Sequence, residues 1–304
     1  MGRRAPRLAE GLGPALDRLH ASFDRADSAT DPIQAVRRFD RPADREVVGF
    51  VAASLAFGRV ASVMQSIERV LEVLGPAPAA FVRGFDPHRD GRALAGVVHR
   101  WTRGPDLVAL LLVLRRILTR SGSIETFFAE GDDPAAPDVG PGLETFSRRA
   151  LEADLAPAYG RVPARPGVCY FFPRPSSGSA CKRLNLFLRW MVRRDGVDLG
   201  TWRTPAPARL IVPLDVHLVR MGRCLGLTRY QSPGWRMAQE ITASLRQADP
   251  EDPVRFDFAL CHLSMRGDCG LNRSDGDSRC PLRGFCRPGA GRRRRRSPTP
   301  SAPR

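Results

Sequence analysis

At 304 residues and 42% hydrophobic, the chain is long enough to bury one large core or two modest ones. A net charge of +16 points to a polyanionic partner, nucleic acid before an anionic surface; the seven arginines and no acid of residues 287–304 leave +9 on the remainder. No run reaches the roughly 18 uncharged apolar residues of a membrane span, which excludes that class, and seven cysteines crowded toward the C-terminus exclude an evenly spread disulfide framework.

The N-terminal MGRRAPRLAE lacks an apolar h-region, so the expectation is no secretion signal and a cytoplasmic, nucleoid-associated place. A first helix is predicted near 7–22. Residues 46–56 predict an apolar helix around Val47, Val48, Phe50 and Val51. Val60, Val63, Met64, Ile67, Val70, Leu71 and Leu74 then keep the i, i+3, i+4, i+7 rhythm of an amphipathic helix until Gly75. Further helices are expected near 91–102, 105–119 and 143–153. The run Leu107 to Leu114 ends at Arg115 and Arg116 and reads as a core helix. A Gly/Pro/Asp-rich loop covers 131–142, and an irregular, proline-rich stretch covers 156–180. Helices are again expected near 182–194, 214–225, 235–247 and 253–265. Alternating strand patterns are scarce and no internal repeat is visible, so the fold class is all-α. The chain divides into an N-terminal helical half (1–155), a C-terminal half (156–287) and a disordered basic tail (288–304).

Lys182 is the only lysine among 48 basic residues. Arginine replaces lysine well in ion pairs and phosphate contacts, but its guanidinium stays protonated and cannot act as a nucleophile. A lone lysine in an arginine-saturated chain is therefore a candidate Schiff-base former. Small residues, Ser176 to Ala180, lead into a helix with an inner face of Leu184, Phe187, Leu188 and Met191. Lys182 then falls in the first helical turn, where free N–H groups and the positive end of the macrodipole suit a phosphate beside a neutral amine. Asp215 follows an apolar stretch and Pro213, a place that equally suits a plain helix cap. His217 and Arg220 fall on the helix it opens.

Together these segments resemble the helix-hairpin-helix superfamily of base-excision DNA glycosylases, which includes endonuclease III and the 8-oxoguanine glycosylases. The family's hairpin ends in Gly-x-Gly-x-Lys, with an Asn three residues later in some branches; Lys182 and Asn185 match, although Ala180 replaces the second glycine. The family's Val-Asp-Thr-His stretch, with an Arg five residues after the Asp, is similar to Leu214-Asp215-Val216-His217 and Arg220. The resemblance covers roughly residues 40–286 and looks closest to a bacterial branch whose function is unassigned. The interval between Lys182 and Asp215 is longer than in endonuclease III. The resemblance implies a two-lobed helical fold with a degenerate hairpin. It implies catalysis by Lys182 and Asp215, and DNA contacts from Gly178, Ser179, Arg183, Asn185, His217 and Arg220. The partner would be double-stranded DNA with a damaged or abasic site; protein partners are not indicated.

The same family often ends in Cys-x6-Cys-x2-Cys-x5-Cys around a [4Fe–4S] cluster. Cys280 and Cys286 keep the x5 spacing and Cys269 fits the first ligand, but Asp277 stands at the second. The resemblance thus implies a metal set of Cys261, Cys269, Cys280 and Cys286, with Cys261 supplying the fourth thiolate. A zinc site, an aspartate-ligated cluster or no metal stay open as alternatives. Cys169, Cys181 and Cys224 read as ordinary small hydrophobes. Tyr170, Phe171, Phe172 and Trp190 read as core rather than as a lesion pocket. The expected function is a DNA glycosylase with AP lyase activity. The alternatives are a DNA-binding protein that keeps the fold without the chemistry, and an RNA-binding or nucleoprotein scaffold acting through the tail.

Overall fold

In the computed structural model, residues 5–267, 269 and 280–286 are described. The basic tail and Asp277 lie outside them. Thirteen α-helices and no strand are found among the described residues, as the scarcity of alternating patterns predicts. None of the helices is long and apolar enough to cross a membrane.

The centre of the molecule is α3 (Pro42–Leu55), in which every residue from Glu46 to Leu55 is buried. An apolar surface all round requires partners on all sides, and α2 (Ile33–Arg37), α4 (Val60–Leu74), α5 (Pro78–Arg83) and α10 (Lys182–Val192) supply them. Gly49 allows the closest approach: a Cβ there would lie 2.8 Å from Met191 Cε and 3.4 Å from Phe187 on α10. That contact lies toward the C-terminal end of α10, while at the start of the same helix Lys182 reaches the C-terminal end of α3.

The long apolar helix α6 (Gly104–Ser121) packs against α5, α7 (Ile124–Ala129) and α9 (Ala156–Tyr159), while α8 (Gly140–Ala150) packs on α7. Asp106 accepts from the backbone N–H of Arg103 at 2.8 Å and from the Tyr159 hydroxyl at 2.7 Å, closing the N-terminus of α6. The remaining helices are α11 (Val216–Cys224), α12 (Trp235–Leu245) and α13 (Asp257–Met265), with α11 against α13.

The stretch expected to be irregular, 156–180, opens with the short helix α9, and two further departures follow. The helix predicted near 91–102 is a 3-10 turn over Gly91–Leu94 followed by a tight turn, in which His99 and Thr102 exchange backbone hydrogen bonds of 3.0 and 2.9 Å. Gly91, Gly96 and the neighbouring Val97 and Val98 weaken a helix there. Secondly, α1 (Leu12–Ala21) packs on α13, and the Leu8 N–H donates to Gln247 Oε1 at 3.0 Å. The first helix thus docks on elements from the far end of the chain. A single buried apolar cluster runs from Leu12 to Leu282.

Candidate active site

The ends of three helices meet at one cleft. Ala56 terminates α3, and its carbonyl accepts a 3.3 Å hydrogen bond from Lys182 Nζ. Cys181, in the left-handed region at φ 49°, precedes α10 and places Lys182 as the first helical residue. Two helix ends of opposite sign therefore meet at this amine: the positive N-terminus of α10 and the negative C-terminus of α3. Asp215 opens α11 in an extended conformation, and its Oδ1 accepts from the Leu218 N–H at 2.8 Å. The cap reading is thus physically satisfied, and the same carboxylate still faces the cleft.

That cleft has a volume of about 190 Å³ and is lined by Lys182, Asp215, His217, Arg189, Asp257 and Cys261, with the α3–α4 corner at Ala56 and Gly58. Cys261 Sγ lies 3.6 Å from Asp215 Oδ1 and 3.6 Å from Asp257 Oδ1, between the two carboxylates. Burial, then the charges of Asp257 and Asp215, push its thiol well above the usual range, so it stays protonated and donates.

Two residues of the cleft carried no role in the sequence reading. Asp257 is buried and pairs with Arg189, Nη1 to Oδ2 at 2.6 Å; burial pushes its carboxyl up to about 6, with Arg189 pulling down and Asp215 pushing up. Arg189 also pairs with buried Asp198 at 3.1 Å, and Arg193 joins Asp198 and reaches Asp252 at 2.8 Å. A buried ionic layer therefore lies beneath the cleft. The signal for it was present: Arg189 stands in the apolar run Leu184–Val192, seven residues after Lys182 and so on the same helical face.

The other anticipated DNA contacts are placed unevenly. Gly178 is exposed at φ 79°, and its carbonyl accepts from the Trp235 N–H at 3.2 Å. Ser179 Oγ accepts from the Cys181 N–H at 3.1 Å. Asn185 is buried and its side chain donates to the Ala180 carbonyl at 3.0 Å. It braces the turn before α10 from inside rather than facing solvent. His217 lines the cleft and lies 3.2 Å from Ser264 Oγ, Arg183 stacks over Phe57, and Arg220 donates to the Cys269 carbonyl at 3.5 Å. Phe171, Phe172 and Trp190 are core, while Tyr170 is exposed.

The thiols named from the resemblance are divided between two places. Cys261 is committed to the cleft carboxylates. The thiol that joins the C-terminal cysteines is Cys224, whose Sγ is 3.3 Å from Cys286 Sγ and which hydrogen-bonds with Cys269; Cys280 hydrogen-bonds with Cys269 in turn. The helix α11 carries Cys224 to them from 37 positions before Cys261 in sequence, a distance that motif spacing does not reveal. Cys169, read as a small core residue, is exposed. Among the described residues no group of three or more His, Cys, Asp or Glu side chains is arranged to hold a metal ion.

The capping role of Asp215 can be measured by itself. Asp215→Ala should cost about 1 kcal/mol of stability through the lost cap, whereas Asp215→Asn, an equally good cap, should stay within about 0.5 kcal/mol of the parent. Urea denaturation of both variants checks this. Equal loss in the two would mean that charge rather than capping holds the start of α11.

No match to this chain is found among curated proteins or among solved structures. A family model described as "Protein of unknown function (DUF2400)" matches residues 31–266, more than half of the chain, and the protein therefore belongs to that family.

Proposed function

We propose that this protein is a DNA glycosylase with AP lyase activity, acting on duplex DNA with a damaged or abasic site in the nucleoid. The observation that carries the reading is the shared cleft: the only amine side chain of the chain and a capped carboxylate line one cavity of about 190 Å³. That volume lies below the roughly 300–1,000 Å³ of drug-sized ligand sites and suits a single everted nucleoside. The +16 charge supplies salt-sensitive attraction to the phosphates.

In this mechanism the target nucleotide is flipped from the stack into the cleft. Ionised Asp215 stabilises the positive charge that develops at the sugar C1′ as the bond to the base breaks and the base leaves with the bonding electrons. Neutral Lys182 then forms a bond from Nζ to C1′. One proton then leaves the nitrogen to a cleft carboxylate, a second passes to O4′ as the ring C1′–O4′ bond opens to give an imine, and loss of a C2′ proton to solvent expels the 3′ phosphate with the C3′–O bonding electrons. The amine must first shed its proton; the base leaving group, or a carboxylate on approach, takes it. Cys261 lies between Asp215 and Asp257 and donates its one S–H to either, and Arg189 balances the second carboxylate.

A second reading has its own support. Lys182 has a structural partner in the Ala56 carbonyl, and Asp215 has a capping role, so both residues have reasons to be present in a DNA-binding protein without chemistry. Borohydride trapping on a panel of oxidised-base and abasic duplexes separates the two. The proposal expects a covalent protein–DNA adduct with the intact chain. Salt-dependent duplex binding with no adduct on any substrate would leave the non-catalytic reading standing.

A further inference from the structure

Beside the cleft rim lies a row of rings that the proposed chemistry does not use. Phe57 and Trp101 stack at 4.6 Å with 24° between their planes, and Trp101 meets Tyr170 at 5.6 Å and 47°. Trp101 and Tyr170 are 49% and 54% exposed, an unusual state for large aromatic side chains held in one row.

The row is braced by its own turn and flanked by guanidinium groups. Arg100 and Trp101 form the tip of the tight turn closed by His99 and Thr102, and Arg100 takes φ 54° to do so. A non-glycine residue at positive φ persists only where its surroundings hold it. The His99 ring does this, at 2.9 Å from the Phe57 carbonyl and 2.9 Å from Ser66 Oγ. Arg100 sits over the Trp101 ring at 5.8 Å and Arg183 over the Phe57 ring at 5.4 Å. Burial holds the Arg183 guanidinium down at about 10, and no carboxylate is among the groups acting on it. Arg100 also passes over Gly58, where a Cβ would lie 3.3 Å from its Cδ, and Gly58 itself lines the cleft. The row is therefore continuous with the cavity that holds Lys182.

Aromatic faces flanked by guanidinium groups, in a chain of this charge, match one ligand chemistry: an unpaired nucleobase on a polyanionic backbone. Base–aromatic stacking is tolerant of base identity because every base presents a π-face, and arginine adds cation–π attraction and phosphate affinity. We infer that the row formed by Phe57, Trp101 and Tyr170 is a stacking site for an unpaired nucleobase lying next to the nucleotide in the cleft. This rests on the reading of the chain as a nucleic-acid protein, but not on the Lys182 chemistry.

The test uses the full chain and 2-aminopurine as the probe base, either opposite an abasic site in a duplex or paired with thymine in an otherwise identical duplex. Binding should quench the unpaired probe and leave the paired one little changed. Trp101→Ala should raise the Kd for the unpaired-base duplex by roughly 5- to 150-fold, the range for one lost stack. Trp101→Phe should restore most of the affinity, and Tyr170→Ala should weaken binding less. An unaltered Kd in Trp101→Ala, with circular dichroism matching the parent, would overturn the site. An equal loss on paired and unpaired duplexes would overturn it too, since the residue would then serve only general attraction. A Trp101-dependent quench without any borohydride adduct sinks the catalytic reading alone; an adduct without that quench sinks the stacking site alone.

Discussion

Replacing Lys182 with arginine should abolish the borohydride-trapped adduct, by roughly four orders of magnitude or more, the scale on which removal of a nucleophile acts. Arginine keeps the positive charge and can still donate to the Ala56 carbonyl, so duplex affinity and fold should be retained. Its guanidinium cannot lose a proton to become nucleophilic. No other lysine exists in the chain to take over. Asp215→Asn should slow adduct formation by roughly 10²–10³-fold, the scale of one electrostatic stabilising group, while keeping the cap on α11. The checks are single-turnover trapping and a nitrocellulose filter-binding isotherm on the same duplex. An undiminished adduct in the arginine variant would remove the amine from the mechanism.

Arg189→Met should destabilise the protein by about 3–5 kcal/mol, because it leaves buried Asp257 and Asp198 without their shared partner. The two carboxyls already stand near 6, raised by burial and held from rising further by arginines. Removing one arginine raises them again. The folded variant would then hold more protons than the unfolded chain from about pH 4 upward. Its stability should therefore be greatest below the unfolded value and fall as pH rises through 6 and beyond. Urea denaturation at pH 5 and pH 8 reads this directly: the deficit against the parent should be larger at pH 8. A deficit independent of pH would mean that lost packing of the arginine stem, not the uncompensated carboxylates, dominates.

Periodicity carried the helices well wherever a single face had to be buried. The stripe from Val60 to Leu74 is α4 with its bounds intact, and the apolar run at Leu107–Leu114 lies in the buried helix α6. Local chemistry likewise placed Lys182 at the first position of a helix and Asp215 at a cap, because small residues and a preceding proline act within a few positions. The stretch 91–102 escaped the same logic. Its apolar spacing resembles a helix, but two glycines and adjacent β-branched valines lower helix stability there, and the His99–Ser66 and His99–Phe57 contacts favour a turn.

Composition, spacing and the lone lysine were enough to determine an all-helical chain with an amine and a carboxylate at two helix starts and an excess of positive charge. Tertiary structure alone decided which side chains share a space. It put Cys261 between two carboxylates and sent Cys224 to the C-terminal thiols; it paired Arg189 with Asp257 across 68 positions and lined up Trp101 and Tyr170 beside Phe57. The reason is physical. Backbone propensity and capping act over a few residues, whereas burial, ion pairing and ring contact depend on distances that exist only after the helices have packed.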